Sequence, residues 1–415
     1  MIVPLMEAVA DTCGGKAGAL GALLRAGLPV PDGFVVSFGA YAAAVRDLDL
    51  GRCGDGPGDP GAAREAIEAR PVDAAVVAAL GRALDGLGDP PVAVRSSAAG
   101  EDTALASAAG QHESFLAVRG VGEVADAVRA CWASLFSPRA IGYRAAAGGD
   151  DRLSGDLVMA VIVQRHLDAE VAGVMFTPAG PDDVTRIEAS WGLGPSVVGG
   201  TVTPDAYRVA GDGSVTRAVA DKRSRLDRQG TRLVVRDVPA DARERPAIDD
   251  ATALRLAELG GEIAAVFGGP QDVEWAIVDG RIWVLQARPV TAAPPPPASP
   301  SGASGTSAAL LTGTPGSRGT VTGSARIVRG PGDFARVRPG DILVCPFTDP
   351  AWTPLLRIAG GVVTETGGVL SHAAIVAREQ AIPAVLGIPN ATSSLHDGTV
   401  ITVDGTAGIV TAADA

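Results

Sequence analysis

Apolar positions follow two rhythms along the chain. PVAVRSS, LVMAVIVQ, VAGVMFT and the paired run DVEWAIVDGRIWVLQARPV are short, β-rich and bounded by Gly, Pro or Asp, which predicts strands. Residues 18–26 place Leu20, Leu23 and Leu24 at helical spacing, which predicts a helix. The first two-thirds therefore reads as α/β. Residues 46–91, poor in aromatics and rich in Ala, Gly and Asp, and residues 211–250, rich in Asp and Arg, read as surface-exposed. Farther on, short strands around TVTGSARIV, DILVCPF, GGVVTE and TVITVDG surround one helix that starts near His372. These predict a second, smaller domain over residues 310–415.

Between the two lies AAPPPPASPSGASGTSAA, residues 292–309, whose Pro, Ser, Gly and Ala cannot build a core. It is expected to be a linker. In polyproline form, at about 3.1 Å per residue, a stretch of this length reaches roughly 50 Å, so it fits either a passive spacer or a tether that lets one domain travel. A chain of 415 residues exceeds one hydrophobic core, in agreement with two domains. No internal repeat is visible.

Composition narrows the function classes. A formal charge of −12 opposes loose binding to nucleic acid or to anionic membrane, since both need a cationic face. Only Lys16 and Lys222 stand beside 33 Arg. Lys16 is thereby a candidate point charge, whereas Lys222 fits a surface residue equally well. The N-terminus lacks a basic segment and carries Glu7 and Asp11, and no apolar run reaches membrane-spanning length, so a cytoplasmic protein is expected. Cys13, Cys53, Cys131 and Cys345 show no metal or disulfide spacing and are expected to be buried thiols.

Three segments carry candidate chemistry in the first part. Gly14 and Gly15 precede Lys16, which could meet a phosphate; the glycines could equally serve close helix packing, and the Walker A spacing is absent. Arg95 ends a predicted strand and is followed by a small-residue loop with Ser107, Gly110 and Gln111, a pattern that fits an anion cradle or a solvated loop. Asp272, Glu274, Gln286 and Arg288 are polar groups within apolar strands. A two-residue turn at Asp279-Gly280 would put Glu274 and Gln286 on opposite faces, whereas any odd-numbered loop puts all four on one face. The shared face is the predicted arrangement, with Glu274 and Gln286 as oxygen ligands for Mg²⁺.

The strongest single signal is TETGGVLSHAAIVAREQAIPAVLG. Gly367 and Gly368 turn the chain, Ser371 can cap, and His372 opens an Ala-rich helix. Neutral imidazole is nucleophilic, and helix N-terminal N–H groups favour a phosphate, so His372 is the candidate phosphoryl carrier. His112, His166 and His396 lack this setting.

Taken together, these segments resemble the family of phosphoenolpyruvate synthase, pyruvate phosphate dikinase and rifampin phosphotransferase. The resemblance covers residues 1–291 as an ATP-grasp nucleotide-binding domain and about 312–411 as a small β/β/α phosphohistidine swivelling domain, to which TDPAWTPLL and VDGTAGIV also belong. It implies phosphate contact for Lys16 and Arg95 and from the loop with Ser107, Gly110 and Gln111. It also implies adenosine-side contact for Gln164, Arg165, His166 and Leu167, magnesium or phosphate contact for Glu274, Gln286 and Arg288, and cleft positions for Asp272, Glu188 and Ser190. Ala108 departs from the aromatic common in the phosphate loop. The resemblance further implies ATP and Mg²⁺, cleavage of ATP to AMP, the β-phosphoryl on His372 and release of the γ-phosphate. Neither the pyruvate-binding barrel nor the antibiotic-binding domain of these families lies within these residues. The phosphoryl acceptor is therefore expected to be a small metabolite or antibiotic. The alternatives are a separate acceptor protein, as in a split synthase or phosphorelay, or a regulatory module without turnover.

Overall fold

The computed structural model describes residues 1–48, 60–99, 113–138, 140–141, 157–180, 183–294 and 310–412. Two compact units emerge, Met1–Glu170 with Asp227–Val235 and Glu258–Pro289, and Val171–Leu226 with Arg236–Ala257 and Val290–Ala415. The chain is mixed α/β, as expected. Among the described residues no helix is long and apolar enough to cross a membrane.

The first unit is built on an antiparallel sheet with the strand order Ile2–Pro4, Gly33–Val36, Met159–Arg165, Val92–Ala98, Ser114–Val118. Helices cover it because their apolar residues line up on one face. In Ala74–Leu87 the buried residues Val76, Leu80 and Leu84 recur every four positions, Asp73 caps Ala75 N–H at 2.7 Å, and Gly88 ends the helix at φ 82°. These residues and Ile67 belong to the main core, so the reading of 46–91 as surface material is corrected for the described part of that range. The alternation of small and apolar residues there is a helical stripe.

The first helix, Ala10–Arg25, starts earlier than the sequence predicts and kinks at Gly14, where φ is 80°. A Cβ at Gly14 would lie 2.3 Å from the Ser97 carbonyl oxygen, so glycine permits both the turn and the close approach to the neighbouring strand.

The second unit holds the antiparallel strands Val171–Phe176, Thr185–Trp191, Asp205–Val209 and Val215–Ala218, and a separate eight-stranded mixed sheet. Four strands of the latter, Thr320–Ile327, Ile342–Cys345, Gly361–Thr364 and Ala384–Leu386, run parallel. Alternate residues feed two cores on opposite faces, Leu343, Cys345 and Val362 on one side and Ile342, Val344 and Val363 on the other. The helix His372–Glu379 packs on the first face and follows the carboxyl end of Gly361–Thr364. Open α/β sheets place ligands at that edge.

Lys222 is not a surface residue. Its side chain is fully buried, with Nζ 2.6 Å from Asp205 Oδ1 and 3.0 Å from the Ala220 carbonyl. Asp205 also accepts the N–H groups of Ala220 and Ala247 at 2.8 and 2.7 Å. A charge can be buried when its hydrogen bonds are met in this way. Lys222→Ala should cost about 3–5 kcal/mol by stranding Asp205, read as a loss of denaturant midpoint. Cys13, Cys131 and Cys345 are buried thiols, as expected, and Cys53 lies outside the described residues.

Candidate functional site

In the first unit the polar residues of the hairpin Gln271–Val278 and Arg281–Pro289 do share a face, by a route the sequence did not show. The turn is two residues long: Val278 pairs with Arg281, and Asp279 and Gly280 both have positive φ, 50° and 71°. That register alone would put Leu285 opposite Glu274. Instead the pairing shifts between Glu274 and Trp275, leaving Leu285 as a bulge and bringing Gln286 opposite Glu274 and Arg288 opposite Asp272. The bulge supplies the odd residue that the turn lacks.

Arg95 fixes this geometry from the strand Val92–Ala98. Its Nη1 donates to the bulged Leu285 carbonyl at 2.8 Å. Its Nη2 donates to Gln286 Oε1 and lies 3.4 Å from Glu274 Oε2. One oxygen from each strand thus converges on a single cationic group. Beside them, Arg288 Nε and Nη2 each reach Asp272 Oδ2 at 2.8 Å, in a buried pair. Ser97, two residues from Arg95 and hence on the same strand face, accepts the Ala17 N–H at 3.1 Å. The kinked helix start with half-buried Lys16 is held against that face.

The end of the strand Met159–Arg165 and the residues that follow it are less open to ligand than the sequence suggests. Gln164 Nε2 donates to the Pro31 carbonyl at 3.0 Å and Arg165 Nη2 to the Leu87 carbonyl at 2.8 Å. The N–H of His166 is taken by the Pro91 carbonyl at 2.9 Å. Burial, with Arg228 nearby and Asp168 opposing, pulls the His166 imidazole down to about 4, so it is neutral at physiological pH. Leu167 is half-buried. Ser107, Gly110 and Gln111 lie outside the described residues.

In the second unit His372 is the first residue of its helix and is buried, with 4% of its surface exposed. Its Nδ1 lies 3.1 Å from Thr348 Oγ1. The hydroxyl can accept from Nδ1–H or donate to Nδ1, and in the tautomer that carries Nδ1–H the lone pair is on Nε2. Thr348 was missed in the sequence, although TDPAWTPLL was singled out. Ser371 takes the N-cap position, but its hydroxyl turns back to the Gly368 carbonyl at 2.8 Å and caps no N–H of the helix, contrary to expectation.

Glu188 lies in the same unit, on the strand Thr185–Trp191, and is 2% exposed. Its Oε2 accepts the Leu370 N–H at 3.2 Å. Burial pushes its carboxyl up to about 7, against the opposing pull of the Leu370 and Val369 N–H groups and of Arg378. A Cβ at Gly368 would fall 2.3 Å from both carboxylate oxygens. Thr366 Oγ1 donates to the Gly200 carbonyl at 2.6 Å, and Leu370 and Ile375 join Val174, Phe176, Val197 and Val202 in one apolar cluster. Ser190, two positions beyond Glu188, is also buried.

Residues 10–300 match the family model described as pyruvate phosphate dikinase, AMP/ATP-binding domain, and residues 337–408 match the mobile domain of PEP-utilising enzymes. The chain belongs to the pyruvate phosphate dikinase AMP/ATP-binding family. Among curated proteins it is 38% identical to a probable phosphoenolpyruvate synthase of Methanothermobacter thermautotrophicus, over 96% of this chain and 61% of that protein. It is 35% identical to the phosphoenolpyruvate synthase of Aeropyrum pernix, over 96% of this chain and 56% of the relative. The chain thus spans a little over half the length of these relatives.

Proposed function

We propose that the protein is an ATP-dependent, dikinase-type phosphotransferase that carries a phosphoryl group on His372 and passes it to a small-molecule acceptor. The observation that carries this reading is the setting of His372. It opens a helix directly after the Gly367-Gly368 turn, at the carboxyl edge of the parallel strands, with its Nδ1 3.1 Å from the Thr348 hydroxyl. Residues 1–291 would be the ATP-grasp domain, 292–309 the linker and 310–415 the phosphohistidine domain, and the two family matches support that division.

The Nε2 lone pair forms an N–P bond to the β-phosphorus of ATP, the bond bridging to the α-phosphate breaks, and AMP leaves. Water takes the γ-phosphoryl as inorganic phosphate, and the remaining phosphoryl moves from His372 to the acceptor. Lys16, Arg95 and Arg288 bind phosphate oxygens, and the backbone of residues 164–167, with neutral His166, meets the adenosine side. Arg95 is already oriented by the Leu285 carbonyl. The convergence of Glu274 and Gln286 oxygens on one cationic group is a hard donor set that fits Mg²⁺, and these two residues would hold it. The ion would supply neutralisation of phosphate charge.

Intact-protein mass after incubation with Mg-ATP tests the reading. The expected result is an acid-labile adduct of one phosphoryl group with AMP, and not ADP, as the nucleotide product. Production of ADP alone would overturn it. Because the curated relatives are phosphoenolpyruvate synthases, pyruvate is the first acceptor to try.

A further inference from the structure

We propose that Glu188 is a positioning residue that latches the turn preceding His372 into its buried place by accepting the backbone N–H groups of Val369 and Leu370. The proposal rests on the reading of His372 as a phosphoryl carrier and adds to it a device that decides when the carrier is held and when it is released. A histidine with 4% of its surface exposed cannot present its ring to an acceptor, so the turn must leave this position during a catalytic cycle.

Three observations place Glu188 at the centre of the contact. Its Oε2 is 3.2 Å from the Leu370 N–H. Gly368 is the one residue type that leaves room for the carboxylate, since a Cβ there would lie 2.3 Å from both oxygens. No positive φ requires glycine at 368, so the constraint is the carboxylate itself. Around it the contact is apolar, Leu370 and Ile375 meeting Val174, Phe176, Val197 and Val202. An ionised carboxylate in such surroundings is desolvated, which opposes docking.

The latch is therefore coupled to protons. The carboxyl is raised from 4.5 to about 7 in the buried state. Docking is strongest below about 4.5, where the group is protonated in both states, and is lost as pH rises through about 7. That span corresponds to roughly two orders of magnitude in the docking equilibrium. The charged groups on the elements packed against Glu188 are Arg378, Glu379 and His372 on the helix, Arg186 on its own strand beside Asp183 at 3.7 Å, and Asp205 and Arg208 on the next strand. The residues directly opposite it are Val174 and Ala206, neither ionisable.

Hydrogen exchange of the peptide containing Val369 and Leu370, in the full chain from pH 5 to 8 and corrected for intrinsic rates, tests the latch. In the wild type, protection is expected to fall about 100-fold as pH rises. Glu188→Gln, neutral but still an acceptor, should hold protection flat with pH, and Glu188→Ala should lose it throughout. Gly368→Ala should lower protection strongly in the wild type and add nothing in the Glu188→Ala background. Coincident pH profiles for wild type and Glu188→Gln, or additive effects of Gly368→Ala in both backgrounds, would overturn the latch. The phosphoryl adduct on wild-type protein separates the two ideas. An adduct with coincident profiles removes the latch alone, whereas the expected profiles without an adduct support the latch and remove the carrier reading.

Discussion

His372→Ala should abolish the acid-labile phosphoryl adduct and net transfer to any acceptor, while ATP binding stays within a few-fold of wild type. Removing a covalent nucleophile costs on the order of 10⁶ in turnover elsewhere, and no other described histidine shares the setting of His372. The loss should not arise from unfolding. His372 stands at the first position of an Ala-rich helix, where Ala is a good helix former, and its side chain has a hydrogen bond to the Thr348 hydroxyl at 3.1 Å. Losing that bond should lower stability by about 1 kcal/mol, which thermal melting measures. Full transfer activity in the variant would falsify the carrier assignment.

The second large effect is expected at the hairpin. Glu274→Ala should reduce AMP formation by roughly 10²–10³-fold at saturating ATP and shift the Mg²⁺ required for half-maximal rate upward. Arg95 keeps the Leu285 carbonyl and Gln286, so the bulge should persist and ATP should still bind. Titrating Mg²⁺ at fixed ATP reads this directly. An unchanged Mg²⁺ dependence would remove Glu274 from the metal site and leave it as the partner of Arg95 alone.

These two assignments show what sequence can and cannot disclose. The strands at Val92–Ala98 and Gly361–Thr364 and the helix at His372 were legible because hydrophobic period, Gly-Gly and the Ala-rich run are local signals. The shared face of Asp272, Glu274, Gln286 and Arg288 was anticipated, but the bulge at Leu285 was not. A bulge is stabilised by whatever takes its stray carbonyl, and here that is Arg95, 190 residues away. Glu188 is a similar case. Its place in a family motif suggested a cleft residue, yet its hydrogen-bond partner Leu370 is 182 residues distant, and no local pattern records such a pairing. Lys222 was unreadable for the same reason, its salt-bridge partner Asp205 being a separate strand residue.

Arg378 gathers described residues from both sides of the Pro-rich stretch. Its guanidinium donates to the carbonyls of Ala292 and Gly316, one on each side of residues 295–309, and to Val369 at 2.8 Å. Thr291 adds a hydrogen bond to Glu379 at 2.8 Å on the same helix. Residues on both sides of 295–309 are therefore held at one side chain. The entropy of closing a chain between two held points grows only with the logarithm of its length, so doubling the number of residues between them would cost only about 0.6 kcal/mol. Insertions between residues 295 and 309 should therefore leave His372 undisturbed, whereas loss of the Arg378 guanidinium should not.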